Sequence, residues 1–373
     1  MKKRLPFILL GAVAIVIAAA TIVESRYGTH YAQNNIYGAW WFIGLWALTA
    51  MSGCWLLYRL RMWKRLPVLL LHLSLVLILV GALTTHLTSR RGMTHLRCVE
   101  ATRTYWVQDE QGAYTQTRKM PFYLALKDFR IEHDADSITP ADYVSHVIIA
   151  TTDGEEPATI SMNNIWRAKG YRIYQTSFDD DTLGSTFTIS YDPWGTAITY
   201  VAYILLAISM VWILLRSQVS GFRFQVSTLF FSFCGIALAS YMVIAICMQP
   251  LVPVLRSPFL ILHVGTIMLS YILLVVSIVH RSLLRPAVFL LATGIFLGAV
   301  WANVSWGTYW SWDPKEAWAL VTLIVYSIPL HHRSLPWFRS ERNYRIYAIF
   351  ALATLLMTYF GVNFLLGGMH SYT

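Results

Sequence analysis

The sequence predicts an all-α polytopic membrane protein of about nine transmembrane helices, N-terminus inside and C-terminus outside, carrying a small β-rich extracytoplasmic domain. Three observations predict it. Of 373 residues 56% are hydrophobic and 13% charged, with a mean hydropathy of +0.51, a balance outside the range of water-soluble domains. Apolar runs recur that are long enough to cross a hydrocarbon core of about 30 Å. The basic residues behind the net charge of +10 gather in alternate loops, as in a membrane protein of fixed orientation.

Taken in chain order, the first run, Leu5–Ile22, follows Lys2-Lys3-Arg4 as a signal peptide would. The next residues, Val23-Glu24-Ser25-Arg26, make a poor cleavage site, so a retained anchor helix is expected. Further runs lie near Trp40–Tyr58, Pro67–Leu87, Ala197–Leu215, Phe224–Cys247, Phe259–Val279, Pro286–Trp301, Glu316–Leu330 and Ile346–Phe364. With Lys2-Lys3-Arg4 assigned to the cytoplasm, alternation puts Arg59, Arg61, Lys64, Arg65, Arg216, Arg223, Arg281, Arg285, Arg333, Arg339, Arg342 and Arg345 inside. About fifteen basic residues then lie inside against about three in the short outer segments, the positive-inside bias. No basic face interleaved with aromatics remains to suggest nucleic acid.

The same alternation makes the one long polar stretch, about Thr88–Asp192, extracytoplasmic. Its alternating and aromatic runs, Thr104-Tyr-Trp-Val, Phe122-Tyr-Leu-Ala-Leu and Tyr171-Arg-Ile-Tyr-Gln, are separated by turns at Asp153-Gly154 and Gly184-Ser185, the signature of strands. Asp179-Asp180-Asp181 reads as a solvated turn. Cys54, Cys98, Cys234 and Cys247 contain no C-x-x-C pair, which excludes a thioredoxin-type redox motif and a haem-attachment motif in the chain itself. Cys98 and Cys247 both lie toward the outer side and could pair.

Residues Trp301-Ala-Asn-Val-Ser-Trp306-Gly-Thr-Tyr-Trp310-Ser-Trp312-Asp313-Pro-Lys-Glu-Ala-Trp318 hold five tryptophans and a tyrosine, also on the outer side. Rings scattered at an interface would serve as a lipid belt. Here Asn303, Ser305, Gly307 and Ser311 alternate with the rings, and Asp313-Pro314 opens a helix as an N-cap with proline following. The combination reads as a platform for a large flat ligand such as haem. Histidines fit that reading by depth. His72 lies about five residues into a helix entered from the inner side and His331 ends a helix there, while His263 and His370 flank the tryptophan tract outside. A buried histidine is as often hydrogen-bonded to a neighbouring helix as it is a ligand, but two such pairs fit two six-coordinate haem irons.

These residues also carry a resemblance. The tract from Trp306 to Trp318 resembles the "WWD" signature of the haem-handling proteins CcsA/ResC, CcmC and CcmF. Leu330-His331-His332-Arg333 and Gly361-Val-Asn-Phe-Leu-Leu-Gly-Gly-Met-His370-Ser-Tyr resemble CcsA in particular. Thr21-Ile-Val-Glu-Ser-Arg-Tyr-Gly-Thr29, Tyr37-Gly38, His72-Leu-Ser-Leu-Val-Leu-Ile-Leu-Val-Gly81 and Lys169-Gly-Tyr-Arg-Ile-Tyr-Gln-Thr-Ser177 resemble CcsB/ResB. The chain is therefore similar to a fused CcsBA-type protein. Residues 1–87 would be CcsB-like helices one to three, 88–195 the extracytoplasmic domain, 196–216 the fourth CcsB-like helix, and 217–373 the CcsA-like part with the tract at 301–318.

The resemblance implies a System II cytochrome c synthase in the bacterial cytoplasmic (inner) membrane with its active site on the periplasmic side. Haem b would occupy up to two sites: an inner one between His72 and His331, with His332 as a possible substitute, and an outer one at the tract between His263 and His370. Those four histidines would be axial ligands of haem iron. Trp301, Trp306, Trp310 and Trp312 would bind the porphyrin, and His263, His370, Trp306, Trp310 and Asp313 would form the catalytic set, Asp313 chiefly as a helix cap. The implied partners are an apocytochrome c with its C-x-x-C-H segment, an extracytoplasmic thioredoxin-like thiol reductant and the bilayer. Two further classes are weighed: a haem exporter or chaperone without ligation activity, and a di-haem electron carrier of the cytochrome b type.

Overall fold

The computed structural model describes residues 3–108, 114–133, 140–152, 154–162, 164–216 and 257–366. Helix α1 (Leu5–Tyr27) starts with proline in its first turn, where a missing N–H costs nothing. A short α2 (Thr29–Ala32) and a π-helical turn (Gln33–Tyr37) lead into α3 (Trp40–Arg59) and then α4 (Leu66–Thr88). After the sheet come α5 (Gly195–Arg216), α6 (Pro258–Ser277), α7 (Leu284–Ser305), α8 (Pro314–Ser327) and α9 (Glu341–Leu356), the last continued by a π-helical stretch, Met357–Leu366.

Eight strands form one antiparallel sheet: β1 (Arg90–Arg97), β2 (Ala101–Gln108), β3 (Tyr114–His133), β4 (Pro140–Thr151), β5 (Gly154–Ile160), β6 (Trp166–Ala168), β7 (Tyr171–Phe178) and β8 (Gly184–Tyr191). Their order is β5-β4-β3-β2-β1-β8-β7-β6. Strands next to one another in sequence pair, except β5 and β6, which lie at the two edges of the sheet, and the first strand also pairs with the last, Arg90 opposite Tyr191. The chain thus enters and leaves the sheet side by side at its centre. Alternate residues such as Phe122, Leu124 and Leu126 join Leu96, Tyr105, Ile149, Ile173, Phe187 and Ile189 in the core on one face, as the two-residue period of a strand requires.

The expected fold class needs correction on both counts. A single sheet of eight strands is too large a part of the molecule for an all-α class with a small appended domain. Among the described residues seven helices, not nine, are long and apolar enough to cross a membrane. The expected helix at Phe224–Cys247 lies outside the described residues. The expected helix at Glu316–Leu330 is α8, 14 residues long and so about 21 Å, short of the hydrocarbon thickness. Pro329 sits where the backbone tightens to a 3-10 turn, Ile328–His331, because proline has no N–H to continue the α pattern.

Helix α8 can be short because it is enclosed. Its residues Ala317, Val321 and Ile324 pack with Val13, Ile17 and Ala20 of α1 and Phe42 of α3. Its opposite side, at Tyr326, joins the cluster of Leu274, Leu291, Tyr344 and Ala351 from α6, α7 and α9. On the other flank α4 and α5 lie so close that a Cβ on Gly81 would overlap the Thr199 hydroxyl, the small-residue contact that lets membrane helices approach.

Candidate functional site

The ring centres of His72 and His331 are 6.0 Å apart, nearly perpendicular at 77°. His72 lies on α4 and His331 closes the 3-10 turn after α8, so the short helix and its proline stop bring the second ring to the level of the first. The Nδ1 of His72 donates to the Val68 carbonyl at 2.7 Å, and the Nδ1 of His331 to the Ser327 carbonyl at 3.0 Å. A carbonyl oxygen can only accept, so each Nδ1 carries the proton and each neutral ring keeps its lone pair on Nε2. That is how histidines that bind metals are oriented. Two imidazoles bonded at about 2 Å on opposite sides of one metal have ring centres about 6 Å apart. The donor set and spacing therefore fit a haem iron. Phe7 of α1 packs edge-on to His331 with ring centres at 5.1 Å.

Of the outer pair, His370 lies outside the described residues. His263, on α6, donates from Nδ1 to the Gly294 carbonyl of α7 at 2.7 Å, and its ring lies directly against Gly298. It is fixed to the helix that leads into the tryptophan tract.

The tract turns sharply between α7 and α8. Trp301 is buried and meets Trp306 edge to face, ring centres 4.7 Å apart. Gly307 adopts φ +85° and presses on the Tyr174 ring. Trp310 and Trp312 also meet edge to face, at 5.7 Å. Trp312 has φ +62°, a left-handed conformation that costs a bulky residue on the order of 1–3 kcal/mol. Its ring is stacked on Tyr37 at 4.6 Å and 8°, which holds it there. Trp312 thus gives one face to Tyr37, whereas Trp306 and Trp310 stay half-buried. Asp313 is the N-cap of α8, accepting from the Lys315 N–H at 3.0 Å, and Glu316 reaches back to accept from the Ser311 N–H at 2.9 Å. Trp301 Nε1 and Ser305 Oγ are buried without a hydrogen-bond partner among the described residues.

The tract is gripped by segments far away in sequence. From the N-terminal side, Gln33 donates to the Ser311 carbonyl at 3.1 Å, and Trp318 Nε1 donates to the Thr21 hydroxyl at 3.0 Å. From the sheet, Arg172 donates to the Asn303 side-chain oxygen, and the Tyr174 hydroxyl to the Asn303 carbonyl at 3.1 Å. The Asn303 amide in turn donates to Tyr200 of α5. Arg91 of β1 donates to the Trp306 carbonyl at 3.1 Å. Tyr309 donates to Thr85, at the end of α4, which donates to Asp192. Burial, opposed by the cations of Arg172 and Arg167, pushes the Tyr174 phenol up to about 12, so it stays a neutral donor at physiological pH.

Comparison with known proteins places both halves. Residues 61–199 match the ResB-like family, and residues 278–370 match the cytochrome C assembly protein family. The two matches in one chain support a cytochrome c biogenesis protein of the CcsB/CcsA type. Protein NrfI of Wolinella succinogenes is 37% identical over 151 residues, covering 33% of this chain and 17% of its own. CcsA of Guillardia theta is 35% identical over 171 residues, covering 33% of this chain and 56% of its own. CcsA of a Synechococcus strain is 49% identical over 83 residues, covering 22% and 24%. The chain spans at most little more than half the length of these relatives.

In a CcsB/CcsA-type protein the grip on the tract gains meaning. Thr21, Tyr37, Arg172 and Tyr174 all lie in the stretches that carry the CcsB-like resemblance, and each touches the CcsA-like tract. Sequence reasoning singled out those stretches without saying what they hold. It missed Arg91, Tyr200 and Thr85, and it read Asn303 only as a small residue between the rings and Tyr309 only as one of the tract's aromatics; their hydrogen bonds become visible only when the turn is folded.

Proposed function

We propose that this protein is a cytochrome c synthase that takes haem at the His72/His331 pair and passes it to the tryptophan tract. There it would be attached to the C-x-x-C-H segment of an apocytochrome c. The observation that carries the reading is the inner pair: two imidazoles 6.0 Å apart, both with Nδ1 committed to a carbonyl four residues back. The positive-inside count supports placing this pair toward the cytoplasmic side of the bacterial inner membrane and the tract toward the periplasm.

In this reading each client thiol adds across one vinyl group of the haem, sulfur to one carbon and hydrogen to the other, with no leaving group. The client supplies both nucleophiles. The chain supplies position, which can be worth about 7–11 kcal/mol for well-oriented groups. Trp306 and Trp310 would cover the porphyrin, and His263 with His370 would hold its iron until the client's own histidine replaces one of them. A thioredoxin-like reductant would keep the thiols reduced.

The test is co-expression with an apocytochrome in a bacterium stripped of other maturation systems. Covalent haem on the client is the expected result. Haem bound to this protein without covalent product would turn the assignment to an exporter or chaperone, and absence of both would end it.

A further inference from the structure

The tract meets a cation that has no ionic partner among the described residues. Arg91 stands on β1, three residues beyond the end of α4, with its side chain exposed. One of its terminal nitrogens donates to the Trp306 carbonyl at 3.1 Å. Among the described residues no carboxylate lies within ion-pair distance of it. Its neighbour Arg172 is buried and already committed to Asn303, with Asp192 at 3.9 Å. Asp192 is committed as well, accepting from Thr85, from the Gly195 N–H, and from both the N–H and the hydroxyl of Thr196. Asp192 is thus filled by other donors beside Arg172, and the exposed Arg91 has no carboxylate partner among the described residues. The surrounding protein, chiefly by desolvation and also through Arg172, holds Arg91 below the ordinary arginine range.

We propose that Arg91 binds a carboxylate on the edge of the porphyrin held at the tryptophan tract. The inference rests on the reading of the tract as a porphyrin platform and adds a specificity-determining contact to it. A guanidinium has five N–H donors in a planar fork, and one bond to Trp306 leaves enough for a bidentate carboxylate. The ligand that matches indoles beside a lone cation is flat and apolar with an anionic margin, and haem has two propionates on one margin. Because Arg91 holds the Trp306 backbone and the ligand with the same guanidinium, the sheet takes part in selecting the ligand as well as in holding the turn.

The experiment compares haem with its dimethyl ester, whose carboxylates are masked. Each is titrated into detergent-purified full-length protein in a His331→Ala background, so that the inner pair is disabled, and binding is read from the Soret band. Protein with Arg91 intact should prefer haem over the ester by about tenfold, the worth of one charged hydrogen-bonded contact. Arg91→Gln should bring the two affinities together by weakening haem, and Arg91→Lys should keep part of the preference. Unchanged affinity of Arg91→Gln for the ester shows that the variant is folded. Retention of the preference in Arg91→Gln, or equal binding of haem and ester with Arg91 intact, overturns the assignment and leaves the platform reading standing. Failure of that protein to bind either porphyrin overturns both.

Discussion

At the scale of single residues, the two inner imidazoles decide what the membrane-embedded site can do. His331 and His332 are adjacent, yet the ring 6.0 Å from His72 belongs to His331. His332 is held below the ordinary histidine range by burial and then by Arg281 and Arg333, a setting that disfavours another positive centre. His331→Ala should lower inner-site haem by at least about tenfold, the scale on which even outer partners of a ligand act. His332→Ala should leave it within about twofold, and absorbance of the purified variants measures both. A second prediction concerns acid stability of the sheet. His95 at 3.0 Å and Arg97 at 2.8 Å hold the Asp179 carboxyl below its ordinary value of 3.8. The folded value is lower than the unfolded one, so this contribution is present above about pH 4 and is lost as pH falls through the folded value. Asp179→Asn should therefore lower the sheet's thermal stability at neutral pH, with the difference from the unsubstituted protein closing as pH falls below about 4, as circular dichroism melts across pH will show. Both histidine positions were legible in the sequence because an imidazole within an apolar run is conspicuous. The committed Nδ1 atoms were not, since they depend on where the helical carbonyls point.

At the scale of elements, the turn between α7 and α8 is strained and held from outside. Tyr37 stacks on Trp312 while Trp312 sits at φ +62°. Tyr37→Ala should cost about 0.5–1.5 kcal/mol for the ring pair, beyond lost burial, and should reduce haem at the tract while sparing the inner pair. If haem occupies both proposed sites, their separate optical signals would measure that split. Asn303 joins three elements through one amide. Asn303→Leu leaves the buried Arg172 guanidinium without that acceptor, a loss of about 1–3 kcal/mol, read as a lower melting temperature in detergent. The tract itself was legible from composition, and its N-cap Asp313 from the Asp-Pro pair. The sheet was under-read because strands with polar outer faces lack the unbroken apolar runs that announce helices. The 20-residue β3 is the case in point, with Phe122, Leu124 and Leu126 hidden among exposed partners.

For the whole molecule, the N-terminal and C-terminal parts of the chain pack on one another. α1 fills the groove along α8, with Val13, Ile17 and Ala20 against Ala317, Val321 and Ile324. Residues 1–216 and 217–373 produced as separate chains should therefore copurify through an affinity tag on either. Recovery of one without the other would show that the covalent join, and not this interface, holds them together. Among the described residues helix number was read too high because hydropathy weighs composition and not surroundings, and α8, sheltered on both sides, needs no full span. One feature of α4 ties the scales together. It bears His72 near one end and Thr85 near the other, about 20 Å along a continuous helix, and runs into β1 with a single residue between them. A helix resists compression along its axis, so α4 is a stiff strut: a displacement imposed on the sheet at β1 would be carried along it to the His72 imidazole.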